Sequence, residues 1–154
     1  MKKLWLPLLL MLPLLFIQCK SKKGTQATSS TKVKGVNFEK TDKLSDVTGK
    51  AKDQGKLIFV DLYATWCVPC KLMDKDVFTD KQIGNLFNEN FINLKVDGEK
   101  GNGPNLVALY GVTVYPTLLF LDEKGRVLER KEGAAFHTEL ENLANNALAN
   151  RNTN

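Results

Sequence analysis

The junction between the run Lys56-Leu-Ile-Phe-Val-Asp-Leu-Tyr63 and the motif Trp66-Cys67-Val68-Pro69-Cys70 constrains the fold more than any other stretch. The run is rich in branched and aromatic residues and short enough to be a buried strand. The residues after the motif, Lys71-Leu-Met-Asp-Lys-Asp-Val-Phe78, read as helix. The first cysteine therefore sits where a strand hands over to a helix. Unpaired N–H groups and the helix dipole favour an anion there. A thiolate at that place has a lowered pKa, and the thiolate is the reactive form. Pro69 fits the first helical turn, where its missing N–H costs nothing.

Two cysteines at this spacing can do several things. Half of a zinc site is one, but zinc takes about four ligands, and the chain offers only Cys19 and His137 besides, both distant in sequence. No metal site is expected. A purely structural disulfide closing so small a loop removes little entropy from the unfolded chain. Redox chemistry is the reading that fits strand, motif and helix together. Cys67, first in the motif and at an exposed helix start, is the expected nucleophile, and Cys70, one turn further in, the resolving thiol. Asp61 lies six residues before Cys67 inside the apolar run. It reads either as a polar residue on a half-exposed strand or as a buried acid with a raised pKa that takes the Cys70 proton.

The segment Phe59-Val-Asp-Leu-Tyr-Ala-Thr-Trp-Cys-Val-Pro-Cys-Lys71 resembles the active-site segment of the thioredoxin superfamily. Within it, the segment is most similar to the C-terminal domain of DsbD and to related periplasmic thioredoxin-like proteins, and its Val-Pro dipeptide is similar to that of TlpA-type reducing proteins. The resemblance runs from about residue 36 to 150. It implies an acid at Asp61 that serves Cys70, and a lysine near that acid on the following strand. The matching position is Asn93, with Lys95 two residues on and facing the same way. Tyr115-Pro116-Thr117 matches the family's second motif, which implies a cis-proline facing the cysteines and a residue 115 backbone that pairs with an extended client; a trans proline on an edge strand is the alternative. Tyr115 departs from the aliphatic residue usual in thioredoxin and DsbD-like members and is similar to the Gly-Tyr-Pro-Thr of eukaryotic disulfide isomerases. Gly133 matches a family glycine that lets a client chain approach, and fits a simple turn as well. Trp66 and Tyr63 flank the site; Trp66 either shields the sulfurs and offers apolar contact or packs in the core. His137, the only histidine, reads as a surface or cap residue.

The rest of the chain frames this unit. Residues 1–18 have a basic start and an apolar run from Leu4 to Ile17, too short and proline-interrupted for a comfortable membrane span. They read as a signal peptide, and Cys19 at their end resembles the lipidated cysteine of bacterial lipoproteins. Gln18 stands where that pattern usually has a small residue, so ordinary cleavage and an uncleaved anchor stay open; each puts the domain outside the cytoplasm. Residues 19–35 are Lys, Ser, Thr and Gly with little to bury and read as a flexible linker. Of 22 basic residues, seven lie in leader and linker, leaving 15 against 17 acidic ones, so the net charge of +5 is no argument for nucleic acid.

The domain, 36–150, is expected to begin near Val36-Asn-Phe38 with a strand. A helix follows from Asp42, its possible cap, to Gln54, with Gly55 as the stop. After the active-site helix come a helix from a Thr79 or Asp80 cap to Asn88 with Ile83, Leu86 and Phe87 inward, a strand Phe91–Asp97, and a short helix Pro104–Tyr110. A strand Val114–Leu121 turns through Asp122-Glu-Lys-Gly125 into Arg126–Arg130, a helix covers Thr138–Asn150, and 151–154 form a tail. This order, β-α-β-α-β-α-β-β-α, implies an α/β fold with a central mixed β-sheet flanked by helices on both faces, which the resemblance names as the thioredoxin fold. The expected activity is thiol–disulfide exchange without a cofactor, reducing disulfides of exported proteins in the periplasm or cell envelope, with a membrane electron donor of the DsbD kind. The expected form is a monomer held at the membrane by lipid. Two alternatives remain: an isomerase or oxidase, and a lipoprotein module that binds clients and keeps the cysteines as a latch.

Overall fold

The structure is a computed structural model, and residues 35–151 of it are described. The leader, Cys19 and most of the linker lie outside the described residues. A helix α1 (Leu44–Gln54) precedes strand β1 (Leu57–Tyr63). A short helix α2 (Val68–Leu72) runs straight into a π-helical turn, Met73–Val77. Then come α3 (Lys81–Asn90), β2 (Phe91–Asp97), α4 (Gly103–Tyr110), β3 (Thr117–Leu121), β4 (Val127–Glu132) and α5 (His137–Asn150). The sheet order is β2-β1-β3-β4, with β1 parallel to β2 and the other pairs antiparallel. The mixed sheet with helices on both faces is the α/β architecture expected from the sequence.

Strand alternation divides the core. Leu57 and Phe59 of β1, Phe91 of β2 and Leu118 and Phe120 of β3 point to one face, where Met73, Val77, Phe87, Leu140 and Ala144 meet them. Ile58, Val60 and Leu62 point to the other, against Val47, Ala51 and Leu106. Edge-to-face and tilted rings knit the first face: Phe59 lies 4.8 Å from Phe87 and 5.1 Å from Phe120, centroid to centroid. Asp61 and Tyr63 continue the row of Leu57 and Phe59, so a carboxylate is carried toward the face that the active-site helix covers.

Several boundaries differ from the sequence reading. The first strand shrinks to one parallel bridge, Phe38 to Asn93, because Val36 N–H turns to the Phe78 carbonyl (2.8 Å) instead of a ladder. Asp42 does not cap α1, which starts after Lys43. Its carboxylate accepts from the Asn102 N–H at 2.7 Å, a contact 60 residues away in sequence. Asp80 does cap α3, accepting from Gln82 and Ile83 N–H at 2.7 and 3.0 Å. Gly55 ends α1 in the left-handed region at φ 62°. β3 begins only at Thr117, since Pro116 has no N–H to give a ladder. No helix among the described residues is long and apolar enough to cross a membrane.

Candidate active site

Cys67 is the N-cap of α2, and its Sγ accepts the N–H of Cys70 at 3.1 Å. The two are joined as a disulfide, their Cα atoms 5.4 Å apart. A sulfur in this position is the one whose anionic form the helix start favours. The expected exposure of Cys67 does not hold: both cysteines are only 2% exposed. Ala64 forms a small cluster with them, and Tyr63 and Tyr115 pack against it. The cover comes from a loop almost fifty residues downstream, which the motif alone does not reveal.

Asp61 on β1 is 1% exposed, in the strand row that the core residues of the π-helical turn cover. Parallel pairing sets Lys95 of β2 directly opposite it. The Lys95 ammonium donates to Asp61 Oδ2 and also, at 2.8 Å, to Oδ1 of Asp74 on the π-helical turn. It sits 4.4 Å from the Tyr63 ring centroid, with the Phe78 and Phe38 rings at 5.3 and 5.7 Å. Asp61 Oδ1 has no partner. Burial pushes the Asp61 carboxyl above its usual range, and the opposing pull of Lys95 does not cancel that. For Lys95 burial works downward, but the Asp61 and Asp74 carboxylates win and hold its ammonium above the usual value. Asn93, the position where the family pattern has its lysine, is buried elsewhere in function: its Nδ2 donates to the Asn37 carbonyl and Asn88 Oδ1. Lys95 is thus the cation that meets Asp61. Asp74, 44% exposed at its side chain, was not marked by the sequence; its one signal is an acid four residues after Cys70.

On the outer side, the Tyr115–Pro116 bond is cis. Pro116 is buried, and its carbonyl accepts the N–H of Gly133 at 2.8 Å. Gly133 has φ 84° and open space where a Cβ would be. Among the described residues, the main-chain N–H and carbonyl of Tyr115 have no hydrogen-bond partner. Trp66 is 64% exposed and does not pack in the core. Its Nε1 donates to Glu99 Oε1 at 2.9 Å, and its ring meets Tyr115 edge-to-face at 6.0 Å. Burial, then the Glu99 and Asp97 carboxylates, push the Tyr115 phenol up. Val68, Leu72 and Val114 are exposed apolar residues in the same two loops and helix start. His137 is an exposed first residue of α5. No cluster of three or more metal-binding side chains occurs among the described residues.

The arrangement has known counterparts. A family model described as thioredoxin-like matches residues 40–123. The thiol:disulfide interchange protein DsbD of Actinobacillus pleuropneumoniae is 33% identical over 116 residues, covering 73% of this chain and 20% of that protein. The chain thus spans about a fifth of the length of the curated relatives it matches. The solution structure of a Bacteroides thetaiotaomicron protein, proposed to be a disulphide-isomerase, is 37% identical, covers 79% of this chain and 98% of its own, and superimposes with a TM-score of 0.64. A Thermus thermophilus thioredoxin gives a TM-score of 0.68 at 19% identity over 77% of this chain and 92% of its own, which speaks for the fold.

Proposed function

The chain belongs to the thioredoxin-like family, and from that premise we propose that it is an extracytoplasmic thiol–disulfide oxidoreductase that reduces disulfides in exported proteins. The observation that carries the reading is the Cys67–Cys70 disulfide at the start of α2, with Tyr115 of the cis Tyr115–Pro116 bond packed against the cysteine cluster; the buried Asp61 on β1 supports it. The reduced pair supplies two electrons and two protons. The Cys67 thiolate attacks a client disulfide, forming a mixed disulfide and releasing one client thiol. Cys70, its proton taken by Asp61, attacks Cys67 Sγ; the second client thiol leaves and the Cys67–Cys70 disulfide forms. Tyr115 main chain and the open space at Gly133 give a client segment an edge to pair with and room to approach.

The reducing direction rests on Val68-Pro69 between the cysteines. The dipeptide lacks a histidine that would stabilise the thiolate, so the disulfide form is favoured and the dithiol is the better reductant. A membrane donor of the DsbD kind then restores the dithiol. Leader residues 1–18 place the domain in the periplasm or cell envelope, and lipid on Cys19 tethers a monomer to the membrane. An isomerase is the second reading, favoured by Tyr115 before the cis proline and by the likeness to the Bacteroides protein.

The test is a trap in cells. Cys70→Ala leaves Cys67 able to attack and unable to be released, so exported cysteine proteins should accumulate as adducts, and purified parent should reduce insulin. Adducts absent from Cys70→Ala, with no insulin reduction by the parent, would refute the enzyme and leave a binding module. Cys19→Ser in the same cells should release the domain to the soluble fraction or leave it unprocessed.

A further inference from the structure

Neither cysteine of the pair is open to solvent: Tyr63 and Tyr115 pack against them, and the Tyr115 ring is met in turn by Trp66 and by a third loop. Tyr115 packs on the cysteine cluster, and Trp66 closes on Tyr115 edge-to-face. The third loop is the turn between β2 and α4. A Cβ at residue 98 would collide with the Tyr115 phenol, so glycine there gives that ring its seat. Gly98 N–H is fixed to the Tyr63 carbonyl at 2.8 Å. The next residue, Glu99, takes the Trp66 indole N–H. The turn itself is stiff: Glu99 N–H donates to Asp97 Oδ1 at 3.1 Å, Lys100 N–H donates to the Asp97 carbonyl at 3.1 Å, and the Lys100 ammonium lies 3.3 Å from Asp97 Oδ2.

A ring that is 64% exposed has little packing to hold it. Trp66 is held by one charge-assisted hydrogen bond and one ring contact, and both run to this turn or to the ring it seats. We propose that Glu99 is a positioning residue: through Trp66 it keeps the Tyr115 ring seated on the cysteine cluster and presents the indole face to a client. A disulfide is attacked along its S–S axis, so access is part of the rate. Loss of the Glu99 acceptor frees the indole, opens the path for a small thiol and removes the fixed apolar face that a protein client docks on. The two substrates therefore respond in opposite directions, which a general loosening of the fold does not produce. The client half of this inference rests on the reductase reading; the access half does not.

The experiment uses the full chain with Glu99→Ala and Glu99→Gln, the latter keeping an oxygen acceptor for the indole. Reduction of the Cys67–Cys70 disulfide by dithiothreitol is timed, and insulin reduction is resolved into kcat and KM. Glu99→Ala should react with dithiothreitol about threefold to fivefold faster, the share of one exposed hydrogen bond, while its insulin KM rises with kcat held. Glu99→Gln should stay closer to the parent in both, and Trp66→Phe should reproduce Glu99→Ala with dithiothreitol. Equal dithiothreitol rates for parent and Glu99→Ala would overturn the proposal. Should no form reduce insulin, the reductase reading fails while the dithiothreitol arm still decides the role of Glu99.

Discussion

Asp61 and Asp122 are both nearly dry, at 1% and 4% exposure, yet their environments push their carboxyls in opposite directions. Asp122 lies in the turn from β3 to β4. Its Oδ1 accepts from Lys124 and Arg126 N–H, each at 2.9 Å, and its Oδ2 from Arg126 Nε at 2.5 Å. Burial would raise its pKa, but these donors to the charged form hold it below the usual carboxylate range. Asp61 has one cation, shared with Asp74, and one oxygen with no donor at all. Burial therefore wins and the carboxyl is raised. A fully satisfied buried carboxylate ties a turn together. A half-satisfied one is poised to take a proton, and in this chain it shares its cation with Asp74 of the turn that continues the disulfide-bearing helix.

The sharpest way to break the comparison is to remove the cation. Lys95→Met leaves Asp61 buried with no counter-charge, a loss of about 3–5 kcal/mol when the acid is ionised. The cost should be full at mildly alkaline pH and shrink in acid, where Asp61 takes a proton. Adding Asp61→Asn to Lys95→Met should recover most of it. Urea unfolding at two pH values checks both. Asp122→Ala comes next, at about 1.5–3 kcal/mol, for losing hydrogen bonds to a charged group in a single turn. Asp61→Asn alone should leave stability unchanged or slightly higher, because a dry charge is no longer required.

The pH dependence carries the same contrast with its sign. Asp61 is raised in the folded state, so folded protein holds the proton longer than unfolded chain does. Its contribution is favourable in acid and is lost as pH rises from the ordinary carboxylate pKa through the folded value. Asp122 is lowered, so its contribution is present above the ordinary value and is lost as pH falls through the folded one. The difference in stability between Asp122→Asn and parent should therefore close in acid, whereas that between Asp61→Asn and parent should close in acid and open, in favour of the variant, toward neutrality. Thermal unfolding across pH measures both, and parallel curves for the two variants would remove the distinction.

What the sequence could show was local. β2 falls on Phe91–Asp97 as the alternation places it, and the strand, cysteine motif and helix N-cap follow directly from residue order. The partners of Asp61 were half legible. Period-two alternation puts Asn93 and Lys95 on one face, but only the register of β1 on β2 decides that Lys95 stands opposite Asp61. Asp74 and Glu99 act through contacts that the π-helical turn and the β2–α4 turn create, and neither turn has a sequence pattern strong enough to announce it. The burial of Cys67 was illegible for the same reason, since Tyr115 supplies the cover from another loop. Asp42 failed as a cap because a distant main-chain N–H competed for its carboxylate.

The claim that Asp61 accepts the Cys70 proton is tested most directly by single-turnover resolution of a mixed disulfide on Cys67, followed across roughly pH 6–8, the range in which a raised acid can act as base. With Asp61→Asn the adduct should persist at least about tenfold longer, most clearly below neutral pH, while the initial attack by Cys67 changes much less. Resolution by Asp61→Asn at the parental rate throughout that range would contradict the account and leave Asp61 a structural residue.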